Sequence, residues 1–151
     1  MGGPAEASFD LGEALGATEA PSFQKFTIYI PNKDRNGNLV ENIEDWIVAG
    51  MNILADINLG VTRLPWAQGI WKAHANDPVL LEDVTLVYSY LRRPDAFRER
   101  FNEIKSFLDS FGTETGQGEV MVEFFGEKIE SDEAAESNIY FRIYTIPFAA
   151  A

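Results

Sequence analysis

The stretch Leu80-Leu81-Glu82-Asp83-Val84-Thr85-Leu86-Val87-Tyr88-Ser89-Tyr90-Leu91 is the clearest strand pattern in the chain. Successive side chains of a strand point to opposite faces of a sheet. One face then carries Val84, Leu86, Tyr88 and Tyr90, and the other carries Thr85, Val87 and Ser89. The segment therefore predicts a strand of the sheet.

The residues before this strand predict two more strands and a helix. The alternation over residues 26–30, which ends at Pro31, indicates a first strand. From Ile43 the apolar residues recur every three or four positions until Gly60, which predicts a helix and its end. A broken second strand is expected over 61–64 and 70–72, because Pro65 and Gly69 interrupt it.

The residues after this strand predict a second helix and a β-rich C-terminus. Pro94 opens the helix, and Gly112 is expected to end it. Its apolar stripe consists of Phe97, Phe101, Ile104, Leu108 and Phe111. A strand over 119–125, a tight hairpin turn at Gly126-Glu127 with a short strand over 128–130, and a last strand over 138–148 follow.

The order βαββαβ predicts an α+β fold of the ferredoxin-like type. In such a sandwich two helices cover one face of an antiparallel sheet, here with extra C-terminal strands. The other face is expected to carry the apolar side chains of Tyr29, Val87, Met121 and Phe125. Such a face is too apolar to stay bare in water, so either a homodimer or the C-terminal strands should cover it.

Three motifs extend this interpretation to a resemblance. They are the Thr-Arg-Leu-Pro segment that ends in Gly-Ile-Trp (62–71), the strand start at 82–88, and the Gly-Gln-Gly-Glu-Val segment at 116–120. In this spacing the chain resembles small uncharacterised bacterial ferredoxin-like α+β proteins of unknown function, over about residues 26–130. The resemblance implies the fold and brings no activity with it.

Length and charge predict one acidic domain. The 151 residues fit one hydrophobic core, and the formal net charge is -12. Residues 1–22 are interpreted as a flexible acidic N-terminal tail, and residues 23–148 as a single domain with an acidic loop at about 131–137. Residues 149–151 are a C-terminal alanine tail.

Composition excludes several kinds of chemistry. Without cysteine the chain has no disulfide, no thiolate nucleophile and no cysteine metal site, and no motif predicts a metal, a cofactor or a catalytic residue. Direct nucleic-acid binding is disfavoured by the negative charge. The absence of a long apolar run and of a secretory signal predicts a bacterial cytoplasmic protein without a membrane segment.

Six residues are predicted to contact a ligand or a partner. The segment 60–74 contributes Arg63, Trp66 and His74, which combine charge, a flat ring and the only histidine. Glu82 and Glu119 are carboxylates near the middle of the sheet, where one could hold its proton more tightly than the other. Gln117 lies between two glycines and could reach a ligand.

Residues 32–39 imitate part of a calcium loop but lack the final glutamate, so they are interpreted as a turn.

Three functions fit these observations. The favoured one is a non-catalytic interaction or regulatory module that assembles with itself, as a homodimer, or with a larger protein complex, because no reaction centre emerges. The alternative is a small enzyme or metabolite-binding protein with a cleft around Arg63, Trp66 and His74. The second alternative is an acidic nucleic-acid mimic that inhibits a DNA- or RNA-binding protein.

Overall fold

The computed structural model of the chain describes residues 9–19, 24–127 and 139–149. The helices are α1 (Leu11–Leu15), α2 (Ile43–Asn58), α3 (Pro94–Glu99) and α4 (Phe101–Glu114). The strands are β1 (Lys25–Pro31), β2 (Thr62–Trp71), β3 (Leu80–Tyr90), β4 (Glu119–Glu127) and β5 (Ile139–Pro147). The prediction of an α+β fold is confirmed.

The strands form one five-stranded sheet in the order β2-β3-β1-β4-β5. Every adjacent pair is antiparallel, and β1 lies in the middle between β3 and β4. The C-terminal end of β1 therefore lies beside the N-terminal ends of β3 and β4. Residues of three strands that are distant in the sequence meet at this end of the sheet.

The core lies between one face of the sheet and the helices. The sheet contributes Phe26, Ile28, Ile30, Val87, Val120, Val122 and Phe124, and the helices contribute Ile47, Leu54, Ile57, Ile104, Leu108 and Phe111. Val87 pairs with Ile28 and is fully buried, so the prediction that it lies on the opposite face with Tyr29 is wrong. We call the face away from the helices the open face.

The second predicted helix is in fact two helices. The chain breaks at Arg100 and continues as α4 past Gly112 to Glu114, so Gly112 does not end the helix. A Cβ atom at Gly112 would lie 2.1 Å from the Phe148 ring. The glycine is there because an aromatic ring packs against the helix backbone.

Two strand predictions also need correction. β2 is continuous, with a bulge between Leu64 and Ala67 where Trp66 adopts a φ of 70°. Gly69 does not interrupt it, and β4 runs through Gly126 to Glu127, so the hairpin turn predicted there is wrong. The short strand predicted over 128–130 and the acidic loop lie outside the described residues.

The N-terminal segment is described in part. Asp10 caps α1 by accepting a hydrogen bond from the Glu13 backbone at 3.0 Å. In the described parts of the chain, no helix is long and apolar enough to cross a membrane.

Candidate functional site

A cleft of about 470 Å³ opens at the end of the sheet where β1 stops and where β3 and β4 begin. Its sheet residues include Tyr29, Pro31, Trp71, Glu82, Glu119 and Met121. Residues of the connecting loops, among them Arg35, Lys72, Asp77 and Gln117, complete the wall. The cleft thus combines aromatic, acidic and basic groups over an apolar floor, which is the composition of a small-molecule site.

Glu82 is the buried carboxyl of this cleft, with only 7% of its surface exposed. It lies opposite Gly69 on β2, and it is hydrogen-bonded by the side chain of Trp71. A Cβ atom at Gly69 would lie 2.7 Å from the indole nitrogen of Trp71, so glycine leaves room for that ring. β2 therefore carries both the glycine and the donor that this arrangement needs.

Burial raises the pKa of Glu82 to about 7, because an ionised carboxylate loses solvation there. The hydrogen bond from Trp71 and the charge of Lys33 oppose this shift without cancelling it. Glu82 can therefore give or take a proton near neutral pH. This is the protonation behaviour expected of a general acid or base.

Tyr29 forms the second polar pair of the site. Its hydroxyl donates a hydrogen bond to Oε1 of Glu123 on the neighbouring strand β4. Burial, followed by the hydrogen bond and the charge of Glu123, raises the pKa of Tyr29 to about 12. The phenol therefore stays protonated, and the Glu123 carboxylate holds it in place beside the cleft.

One arginine joins the loops at the mouth of the cleft. Nε of Arg35 donates to the Gly116 carbonyl, and its Nη2 donates to the carbonyls of Gln117, Phe148 and Ala149. Gln117 is buried and donates to the Lys33 carbonyl at 3.0 Å. The loop after β1, the loop before β4 and the end of β5 are thereby held together.

The loop that contains Arg35 is a turn, as predicted. Oδ1 of Asp34 accepts hydrogen bonds from the backbone of Asn36 and Asn38, at 2.8 and 2.9 Å. Gly37 has a positive φ of 83°. In the described residues no cluster of three or more acidic or histidine side chains could hold a metal ion.

The structure divides the six predicted contact residues into two groups. Glu82, Gln117 and Glu119 line the cleft together. Arg63 instead forms an ion pair with Glu44 at 2.6 Å, and the Trp66 side chain, 82% exposed, lies at the bulge of β2. His74 lies in the exposed loop after β2, and none of these three lines the cleft.

Sequence reasoning missed Tyr29, Trp71, Arg35 and Lys72 as residues of the site. Tyr29 reads as an ordinary strand residue, and Trp71 as a packing residue of a broken strand. Trp71 and Lys72 lie in the segment 60–74 that the sequence singled out, and Arg35 lies in a loop that imitates part of a calcium loop. The pairing of strands that are distant in the sequence brings these residues to one edge.

Two solved structures share this arrangement of the chain. A phage SAM lyase in the apo state aligns with a TM-score of 0.57 and 11% identity, covering 84% of this chain and 90% of that chain. A phage SAM lyase in complex with S-methyl-5'-thioadenosine aligns with a TM-score of 0.58 and 12% identity, covering 85% and 92%. No protein-family model and no curated protein matches the sequence.

This likeness corrects the function favoured by the sequence. A non-catalytic interaction module was expected because no reaction centre emerged from the residues. The structures that are similar over 84% and 85% of this chain are those of an enzyme, so that prediction is wrong. The alternative of a small enzyme fits better, although its cleft lies at Glu82 and Glu119 and not at Arg63, Trp66 and His74.

Proposed function

We propose that this chain is a small enzyme that cleaves a sulfonium nucleoside, in the manner of a SAM lyase. The observation that carries the proposal is the buried Glu82 in a mixed aromatic and acidic cleft. The fold shared with the phage lyase agrees with it. We also propose the ferredoxin-like type of α+β fold, which the position of β3 between β1 and β2 supports.

The charge of the cleft suits a cationic substrate. The cleft is lined by Glu82, Glu119 and Asp77. Glu123 accepts the hydrogen bond of Tyr29 beside the cleft. The rings of Trp71 and Tyr29 add faces on which a purine can stack and to which a cation is attracted. S-Adenosylmethionine, abbreviated SAM, provides both a purine and a sulfonium cation.

The products of such a lyase show which carbon–sulfur bond of SAM breaks and where its electron pair goes. S-Methyl-5'-thioadenosine retains the methyl group and the adenosyl group of SAM, so the bond from sulfur to the aminobutyrate chain is the one that breaks. The sulfur keeps the electron pair of that bond and loses its positive charge. Without water, the four-carbon fragment closes a ring through its own carboxylate or loses a proton from the neighbouring carbon to a base.

The protein groups have separate roles in this proposal. Pro31, Val84 and Met121 form an apolar floor, which favours the loss of the sulfonium charge because it solvates that charge poorly. Glu82 takes part in proton transfer or stabilises the cation, and Trp71 orients its carboxyl. Tyr29, whose one O–H is donated to Glu123, offers its ring at a fixed position. In the second route Glu82 is the base that accepts the proton.

Incubation of the purified protein with SAM tests this proposal. We expect S-methyl-5'-thioadenosine, measured by liquid chromatography and mass spectrometry, to form faster than with heat-inactivated protein. The mass of the second product identifies the route. If the fragment loses a proton, Glu82→Gln should lower the rate about 100-fold, the size expected for a proton-transfer group.

The matched control is Glu99→Gln, an exposed glutamate of α3 on the helical side. It should retain the wild-type rate. Formation of the product at the background rate would contradict the proposed cleavage. If S-methyl-5'-thioadenosine then still bound in the cleft, the metabolite-binding alternative would replace the enzyme.

A further inference from the structure

Some basic residues of the described chain form ion pairs, and two others, which form none with a described carboxylate, lie in the cleft. Arg63, Arg100 and Lys105 form ion pairs with carboxylates, as expected in a protein with a net charge of -12. Arg35 and Lys72 both line the cleft, and neither forms an ion pair with a described carboxylate. Two cations that form no ion pair with a described carboxylate thus lie in the cleft of an acidic protein.

The Arg35 guanidinium is held in place by hydrogen bonds from Nε and Nη2, which leave Nη1 for another partner. A guanidinium has five N–H donors, and those of Nε and Nη2 are directed to four backbone carbonyls. Its Nη1 has no hydrogen-bond partner among the described residues, although Arg35 lines the cleft. The carbonyls orient the group but do not neutralise it, so its charge remains available to an anion.

Lys72 follows Trp71 in the chain and also lines the cleft. Its Nζ has one long contact of 3.4 Å to the Ala75 carbonyl. An ammonium group carries three donors, so this contact leaves most of its hydrogen-bonding capacity unused. Lys72 can therefore bind an anion in the cleft without breaking an existing ion pair.

We propose that Arg35 and Lys72 form a subsite for the carboxylate of an amino-acid moiety. This inference rests on the proposed function. It adds a binding site for the amino-acid part of the substrate, which the stacking of the nucleoside does not explain. An amino acid also brings an ammonium group, which suits Asp77, Glu82 and Glu119 of the same cleft. A phosphate would bring only negative charge toward these carboxylates.

Two compounds whose sulfur carries no charge can distinguish this subsite from a site for the sulfonium. S-Adenosylhomocysteine carries the amino acid, S-methyl-5'-thioadenosine lacks it, and neither has a sulfonium. In calorimetric titrations we expect the wild-type protein to bind S-adenosylhomocysteine at least about tenfold more tightly, as charge-assisted hydrogen bonds allow. Lys72→Met should reduce this preference about fivefold, and Arg35→Gln should reduce it further.

The affinity for S-methyl-5'-thioadenosine is the internal control, because it shows that the cleft is intact in each variant. Lys105→Met removes the same charge from the exposed face of α4 and should leave the preference unchanged. Equal affinities for the two compounds in the wild type would overturn the subsite. So would a preference that neither Lys72→Met nor Arg35→Gln reduces.

The failure of the subsite differs from the failure of the proposed function. If SAM is cleaved and S-methyl-5'-thioadenosine binds, but the amino acid adds no affinity, then only the subsite is wrong. If neither thioether binds and SAM is not cleaved, then the proposed function is wrong and the subsite with it.

Discussion

At the scale of single residues, Glu82 is the group whose properties depend most on its surroundings. Its sequence position, at the start of β3, predicts a carboxylate near other carboxylates. In the structure the decisive neighbours are the indole of Trp71 and the apolar environment, which together keep a carboxyl buried with a hydrogen-bond donor. A glutamate of this kind lowers the stability of the fold whenever it is ionised.

The raised pKa predicts a pH-dependent stability. The folded protein binds the Glu82 proton up to about pH 7, whereas an ordinary glutamate releases it near 4.5. The contribution of this group to the free energy of unfolding is therefore present below that lower value and is lost as the pH rises to about 7. Relative to wild type, Glu82→Gln should gain about 2 kcal/mol between pH 5 and pH 8.

Urea unfolding at the two pH values measures this difference. Glu99→Gln should follow the wild-type profile, because its carboxyl is exposed on α3. Parallel profiles of wild type and Glu82→Gln would contradict the buried and protonated state of this residue.

At the scale of elements, glycines report contacts that periodicity does not show. Gly112 was expected to end a helix, because glycine commonly follows the last helical residue. It lies inside α4 instead, where the Phe148 ring takes the space of a side chain. The contact joins α4 to the segment just after β5, so it is invisible to any local pattern.

Gly112→Ala should destabilise the protein by about 1–3 kcal/mol, although alanine is the better helix former. The added methyl group would overlap the Phe148 ring and force it from its position. Gly60→Ala is the matched control, since nothing lies within 4 Å of its Cβ position. It should be neutral or stabilising by less than about 1 kcal/mol. Thermal unfolding that shows the reverse order would contradict the packing described for Phe148.

At the scale of the whole molecule, the part of the open face around Phe125 remains without a cover in the described residues. Phe125, Phe141 and Ile143 are each about half exposed there, and the rings of the two phenylalanines lie 6.3 Å apart. The fifth strand extends the sheet at the edge of β4 and does not fold over this face. Of the two covers expected from the sequence, β5 therefore does not supply one.

A homodimer through the open face stays a prediction. Phe125→Ser with Ile143→Ser should shift a self-associated protein toward the monomer, because the change removes apolar area from the face. Val48→Ser on α2 is the control, since that side chain is also exposed but lies on a helix. Sedimentation velocity that finds only monomer in the wild type at high concentration would contradict this prediction.

The sequence by itself determined the α+β class, the positions of most strands and the apolar faces of the helices. These depend on the local alternation of side chains, which repeats every two or about 3.6 residues. It also indicated Glu82 and Glu119, as carboxylates at strand starts, and Gln117, which lies between two glycines. Only the tertiary structure decided that these residues share a cleft with Tyr29, Trp71, Arg35 and Lys72. The reason is that the cleft arises from strand pairing over long distances in the chain, and burial, which sets the pKa of Glu82, exists only after that pairing.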